Sequence, residues 1–235
     1  MGESSTSTAT LRLTAGDLRI AHPITVPDAA VPARDVVPAL QGLVNAVVAA
    51  AEAGIGAGKE VSCRKGCGAC CRQLVPVSRT EGERLLDLVE ALPRERRGEI
   101  KRRFAAAEAI LAPAGFADRA GKTDRELSTS YFALGLPCPF LEDESCSIHA
   151  DRPLVCREYL VTSPAELCAG PAQEGVAPVA VPKFSLGARK LQEEKDEWFP
   201  LALLMAWSRT RPKSGTRRTG PEWVQRFLKG LGSGR

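Results

Sequence analysis

Between Pro38 and Ala53, Leu40, Leu43, Val44, Val47, Val48 and Ala51 recur at three- and four-residue steps. That spacing predicts an amphipathic helix, stopped by Gly54 and Gly56. Ser78-Arg-Thr-Glu81 has the form of a capping box, in which the Ser hydroxyl caps a backbone amide and the Glu carboxylate reaches back. The helix it opens carries Leu85, Leu86, Leu88, Val89 and Leu92 up to Pro93. A second helix is predicted from Glu95 to Leu111, with Ile100, Phe104, Ala107 and Ile110 on one face and Pro113 and Gly115 ending it. A short helix is expected near Leu127 to Phe132, another from Glu193 to Trp207 with Pro200 near its first turn, and a final amphipathic one from Pro221 to Lys229. The alternating runs Leu11-Arg-Leu13 and Leu18-Arg-Ile20, around Ala15-Gly-Asp17, predict a short hairpin.

The rest reads as loop. His22 to Pro32 is a proline-broken linker, Pro171 to Pro182 a loop or an edge strand, and Ser208 to Gly220 a basic loop. The pattern contains no internal repeat. The expected fold class is mainly α, α+β at most: a helix-rich single domain with a minor β-hairpin. Its expected organisation is a disordered tail (1–10), an N-terminal hairpin and helix (11–59), a cysteine-rich segment (60–170), and a C-terminal helical extension packing on it (171–235).

Composition sets few further limits. Across 235 residues, 44 % are hydrophobic, enough to bury a real core without metal as the sole organiser. The net charge of +4 gives little pull on nucleic acid or a membrane surface. Residues 1–10 lack the basic and apolar regions of a signal peptide, and Gly2 with Thr6 touches the myristoylation pattern only briefly. The apolar run near Val44 to Ala53 reads as too short to span a bilayer. These features lead to the expectation of a cytoplasmic protein, where clustered cysteines stay reduced and hold metal rather than forming disulfides.

Cysteine changes the picture most. Four of the eight fall in one stretch, Cys63, Cys67, Cys70 and Cys71, as C-x3-C-x2-C-C. Thiolates packed so densely repel unless a cation sits between them, and a soft metal ion or an iron–sulfur core meets that need. Gly66 and Gly68 would let the backbone turn tightly enough for the sulfurs to converge. Adjacent Cys70 and Cys71 point with difficulty at one ion; they more easily serve two metal atoms, or one serves while the other packs or hydrogen-bonds. The other four, Cys138, Cys146, Cys156 and Cys168, are widely spaced, and beside the first cluster they suggest one site closed from both sides. Arg64, Lys65, Arg72, Arg152 and Arg157 flank the cysteines and would lower thiol pKa values.

C-x3-C-x2-C-C, followed by Cys138-Pro-Phe-Leu141, Cys146-Ser-Ile148 and Arg152-Pro-Leu-Val-Cys-Arg157, resembles the YkgJ-type CxxCxxCC cysteine-cluster family, described as zinc- or iron-chelating. The resemblance spans about residues 60–160. It implies Cys63, Cys67, Cys70, Cys71, Cys138, Cys146 and Cys156 as ligands, and Cys168 lies outside its clearest part. The family often has an aromatic residue where His149 stands, so no ligand role carries over to it. The family also includes the larger flagellin lysine methylases, for which an iron–sulfur cluster is reported. Here Gly54-Ile-Gly-Ala-Gly58 follows a helix, not a strand, and fails the context of a nucleotide-binding turn.

Eight thiols exceed one tetrahedral zinc site, and the paired C-x2-C knuckles of structural zinc are absent. The expected cofactor is therefore an iron–sulfur cluster, 4Fe-4S favoured, with zinc as the alternative. All eight cysteines are candidate ligands. The expected role is redox or electron transfer with an unidentified protein partner; the alternatives are a zinc-stabilised interaction module and a relative of protein lysine methyltransferases. His22 stands alone in its linker. Glu142, Asp143 and Glu144 read as a solvated turn, Arg209 to Arg218 as a solvated basic loop, and Trp198, Phe199 and Trp207 as core. No catalytic constellation is evident.

Overall fold

A computed structural model describes residues 5–117, 122–170, 175–192, 197–211 and 213–232. In chain order the elements are β1 (Thr6–Ala15), β2 (Leu18–Pro27), β3 (Val31–Pro32), α1 (Val37–Ala53), β4 (Pro76–Ser78), α2 (Arg79–Ala91), α3 (Arg94–Leu111) and α4 (Asp124–Ala133). Then come β5 (Leu141–Glu142), β6 (Ser145–Cys146), α5 (Leu154–Glu158), α6 (Phe184–Arg189), β7 (Trp198–Pro200), α7 (Leu204–Thr210), β8 (Arg217–Arg218) and α8 (Gly220–Gly232). The described chain is thus helix-rich, with strands only in two-stranded antiparallel pairs: β1–β2, β3–β8, β4–β7 and β5–β6.

Side-chain caps open three of the eight described α-helices. Ser78 caps α2 through the amide of Glu81, and Glu81 answers with a carboxylate to the Ser78 amide, the predicted capping box. Thr123 with Glu126 opens α4 in the same way, and Thr219 with Glu222 opens α8. The hairpin β1–β2 runs in register from Thr6↔Pro27 to Ala15↔Leu18, turning at Gly16 with φ of 58°. It is longer than expected at both ends. Its first strand begins inside the segment read as a tail, whose residues 1–4 lie outside the described part. Its second takes in His22 to Pro27, read as linker. The prolines there are tolerated because a two-stranded ribbon leaves one side of each strand free of pairing demands.

Three apolar clusters organise the molecule. The first joins β2, α1, α5, α6 and α8 through residues such as Val26, Leu40, Val44, Leu154, Phe184, Trp223 and Phe227. The second joins α2, α3 and α7 through Val77, Leu85, Phe104, Phe140 and Leu204. The third gathers Leu111, Phe116, Tyr131, Trp198 and Leu203. Residues Ala33–Ala53 form a helical run long and apolar enough, by length and composition, to cross a bilayer, contrary to the shorter run read from sequence. Its Val36, Leu40, Leu43, Val44 and Val47 are buried in the first cluster.

The expected helix over 193–207 is corrected. Residues 193–196 lie outside the described part, and Trp198–Pro200 is a strand paired with Pro76–Ser78. Only Leu204–Thr210 is α-helical, after a 3-10 turn at Leu201–Leu203. Trp198, Phe199, Leu201, Leu203 and Leu204 are all buried, so the segment has no polar face for a helical period to mark. The segment read as loop or edge strand is irregular where described: Pro178 bridges Val161, and Val179 donates to the Leu160 carbonyl at 2.8 Å. The basic loop supplies the end of α7 and the strand β8, paired with β3.

Gly220 begins α8 where its backbone meets β2. A Cβ there would lie 2.5 Å from the Val26 Cβ and 2.6 Å from the Pro27 carbonyl oxygen. Gly220→Ala is expected to cost about 1–3 kcal/mol by overpacking. Urea unfolding followed by circular dichroism should show the lower midpoint.

Candidate metal centre

Cys146 ends strand β6 and Cys156 lies in α5, while the other six cysteines stand on loops and 3-10 turns. Cys63 packs on the first cluster, and Cys138 and Cys146 on the second. The leading loop turns at Gly66, with φ of 93°, a conformation that suits glycine. It closes as a 3-10 turn at Ala69–Arg72, with the Cys71 amide donating to the Gly68 carbonyl at 2.9 Å. Gly68 is needed for a different reason than predicted. Its φ of −100° is open to any residue, but a Cβ would lie 2.7 Å from both the Glu144 carbonyl oxygen and the Leu141 Cδ1. The first cysteine loop therefore rests directly on the β5–β6 hairpin that carries Cys146.

Several contacts fasten the two halves. The Cys138 amide donates to the Cys71 carbonyl at 2.8 Å, and the Ser62 amide to the Val161 carbonyl at 2.9 Å. The Cys63 sulfur lies 3.9 Å from the Tyr159 carbonyl oxygen. Arg72 grips Glu144 with two parallel bonds of 2.9 and 2.6 Å. Gln73 Nε2 donates to the carbonyls of Cys168 and Gly170, holding the 3-10 turn that carries Cys168. The acidic residues of the hairpin turn are thus employed in ion pairs: Glu144 with Arg72, and Glu142 with Arg96 and Arg103. Asp143 and Glu144 both have positive φ, as a two-residue hairpin turn requires.

A second ring of polar contacts positions the loop before α5. Gln41 of α1 donates to the carbonyls of Asp151 and Arg152, both at 3.2 Å. Arg157 is buried and donates to Asn45 Oδ1 at 2.8 Å and to the carbonyls of Arg152 and Ala150. Burial lowers its pKa to about 10. Glu81 is buried as well, and its carboxylate accepts the Leu154 amide at 2.8 Å. Of these residues the sequence pointed only to Arg157, as a cation near the thiols; the roles of Gln41, Asn45 and Glu81 were not foreseen. The capping box named Glu81, but nothing local showed that its second oxygen reaches 73 residues along the chain.

Electrostatics show which thiols share an environment. Cys70 lies within electrostatic reach of Cys71, Cys138, Cys146 and Cys156. It also reaches Cys63 and Cys168, which both sense Cys67 as well. Both cysteine segments therefore meet around Cys70. The expectation of lowered thiol pKa values is corrected. A hydrogen bond with Cys71, then burial, raises Cys70. Burial pushes Cys138 up to about 12 and also raises Cys63, Cys146, Cys156 and Cys168. Arg152 does pull Cys70, Cys146 and Cys156 down, but desolvation outweighs one cation. Arg64 and Lys65 are exposed, Arg72 is engaged with Glu144, and Arg157 with Asn45 and the two loop carbonyls.

All eight cysteines are free of disulfides. Among the described residues, no three His, Cys, Asp or Glu side chains are drawn tightly enough together to clasp an ion. The donor set itself is soft and sulfur-only, which suits zinc or an iron–sulfur core and not a hard cation. Tyr159 adds to it: its buried hydroxyl has no oxygen or nitrogen partner and lies against the Cys168 sulfur. The charged groups bearing most on His149 are Arg152, Arg157 and Lys65; together with burial they lower its pKa.

Two cavities adjoin the cysteines. One of about 160 Å³ is walled by Cys70, Leu74, Val75, Val155, Cys156 and Tyr159, so it opens between sulfurs of both segments. The other, about 600 Å³, is a surface cleft with Cys67 in its wall beside Arg64, Arg72, Glu144 and Glu166.

Residues 62–174 match the family model CxxCxxCC, described as "Putative zinc- or iron-chelating domain". The match reaches past Cys168, beyond the span read from sequence. No curated protein and no solved structure matches the chain.

Gly68→Ala is expected to press the first cysteine loop away from the β5–β6 hairpin, at a cost of about 1–3 kcal/mol. Metal content per chain should fall while far-UV circular dichroism at room temperature is retained. Unchanged metal content and thermal midpoint would contradict the close approach inferred there.

Proposed function

We propose that this chain, whose residues 62–174 form a CxxCxxCC domain, holds an iron–sulfur centre and uses it to carry or sense electrons. The observation that carries this reading is the position of Cys70, with sulfurs from both segments gathered about it. That supply exceeds one tetrahedral ion. The cavity between Cys70 and Cys156 adds room for an inorganic core, and its Leu74, Val75 and Val155 walls keep water away. Cys70, Cys138, Cys146 and Cys156 are the first choice of ligands. Cys63, Cys67 and Cys168 form a second set, and Cys71 serves either.

When bound, such a centre supplies one-electron chemistry at a potential set by cluster charge, hydrogen bonds to sulfur and exposure. The protein's part is to supply thiolates, exclude water and balance charge. Because burial holds the free thiols protonated, loading must release protons, and affinity should rise with pH. Arg152 offsets part of the negative charge that develops. The cleft at Cys67 is the open side, where a protein redox partner meets the centre. A reducing compartment such as the cytoplasm suits clustered free thiols.

Zinc is the second reading, named beside iron in the family description. The chain would then be a metal-stabilised interaction module, and chelation would loosen it.

Purification without oxygen separates the two. The iron–sulfur reading predicts a brown protein with iron and acid-labile sulfide in comparable amounts, and a paramagnetic signal in one redox state. Cys70→Ser and Cys156→Ser should each lose most of that iron. A colourless protein carrying stoichiometric zinc would overturn the reading in favour of the structural module.

A further inference from the structure

Beside strand β7 lies a third cavity, about 400 Å³, with no cysteine in its wall. Trp198, Phe199, Leu203, Ala206 and Trp207 form its apolar part, and Thr210 joins the charged groups on its polar part. Trp198, Phe199 and Leu203 are buried, so these walls are set by the core. Trp207 stacks flat on Phe199, with ring centroids 4.3 Å apart and planes 7° from parallel. That stack depends on Gly82, where a Cβ would lie 2.6 Å from the Phe199 ring. The slot is therefore rigid. Among the described residues, two charges of opposite sign stand at its rim, Glu197 and Arg211, paired at 3.1 Å. Arg211 is about half exposed (53 %) and uses one nitrogen in that pair, leaving further N–H donors free.

A rigid apolar slot of this size, closed by a few convergent polar groups, has the form of a small-molecule site. The rim narrows the ligand. A plain carboxylate would bring its charge onto Arg211 against Glu197, and a plain amine would approach Glu197 against Arg211. A molecule with an ammonium and a carboxylate on one carbon replaces each half of the ion pair with its like. We propose that this cavity binds a zwitterionic α-amino acid with a bulky apolar side chain. The side chain enters the aromatic slot, the carboxylate accepts from Arg211, and the ammonium donates to Glu197. This site stands independently of what the cysteines hold.

Isothermal titration of the purified chain with L-phenylalanine tests it. One-to-one saturable binding is expected, and 3-phenylpropionate and phenethylamine, each lacking one charge, should bind about tenfold more weakly. Arg211→Ala and Glu197→Gln, both at the rim and safe for folding, should each weaken L-phenylalanine by a similar factor. Ala206→Trp should abolish binding by filling the slot. Absence of saturable heat up to about 10 mM, weaker than specific small-molecule sites work, would overturn the proposal. So would equal affinity for 3-phenylpropionate, or binding indifferent to both rim substitutions.

Discussion

The cysteine site depends on one close approach, that of the first cysteine loop to the backbone around Cys138 and the β5–β6 hairpin. Cys71 gives its carbonyl to the Cys138 amide, and Gly68 lies against the hairpin with no room for a side chain. Sulfurs far apart in sequence can share one centre only if their backbones come this near. The cost is that thiols are taken out of water together, where ionising any of them is opposed by burial and by its neighbours. A positive inorganic centre resolves that opposition, which gives metal binding and the order of these loops a common physical origin.

The helices around the loops act as a frame. Helix α1 reaches across with Gln41 and Asn45 to satisfy the carbonyls before α5 and the buried Arg157 guanidinium within it, and α2 does the same for the Leu154 amide through Glu81. Buried polar groups of this kind are costly to leave unpaired. The frame therefore fixes where Cys156 stands without touching a sulfur. Packing the cysteines between two apolar clusters, not inside either, leaves one flank open at Cys67 while Cys70 and Cys156 face an apolar cavity.

Much of this could be read from the chain because it is written locally. The helix at Val37–Ala53 shows its period, Ser78 and Glu81 spell out a capping box, and C-x3-C-x2-C-C announces its chemistry. The caps at Thr123–Glu126 and Thr219–Glu222 carry the same signature and could have been found. What stayed hidden is non-local. Trp198–Pro200 becomes a strand only because Pro76–Ser78 lies beside it, and its wholly apolar neighbourhood erases any period. Gly68 looked like a turn glycine and is a contact glycine. The flanking arginines suggested acidic thiols, yet a charge can be counted from sequence whereas burial cannot, and burial prevails.

X-ray absorption at the metal edge tests the shared centre most directly. The chain loaded without oxygen should show a first shell of sulfur alone. Cys70→Ser from the first segment and Cys156→Ser from the second should each replace one sulfur with oxygen or lose metal. A first shell dominated by nitrogen or oxygen in the unaltered chain, or one that ignores substitution in either segment, would contradict the account.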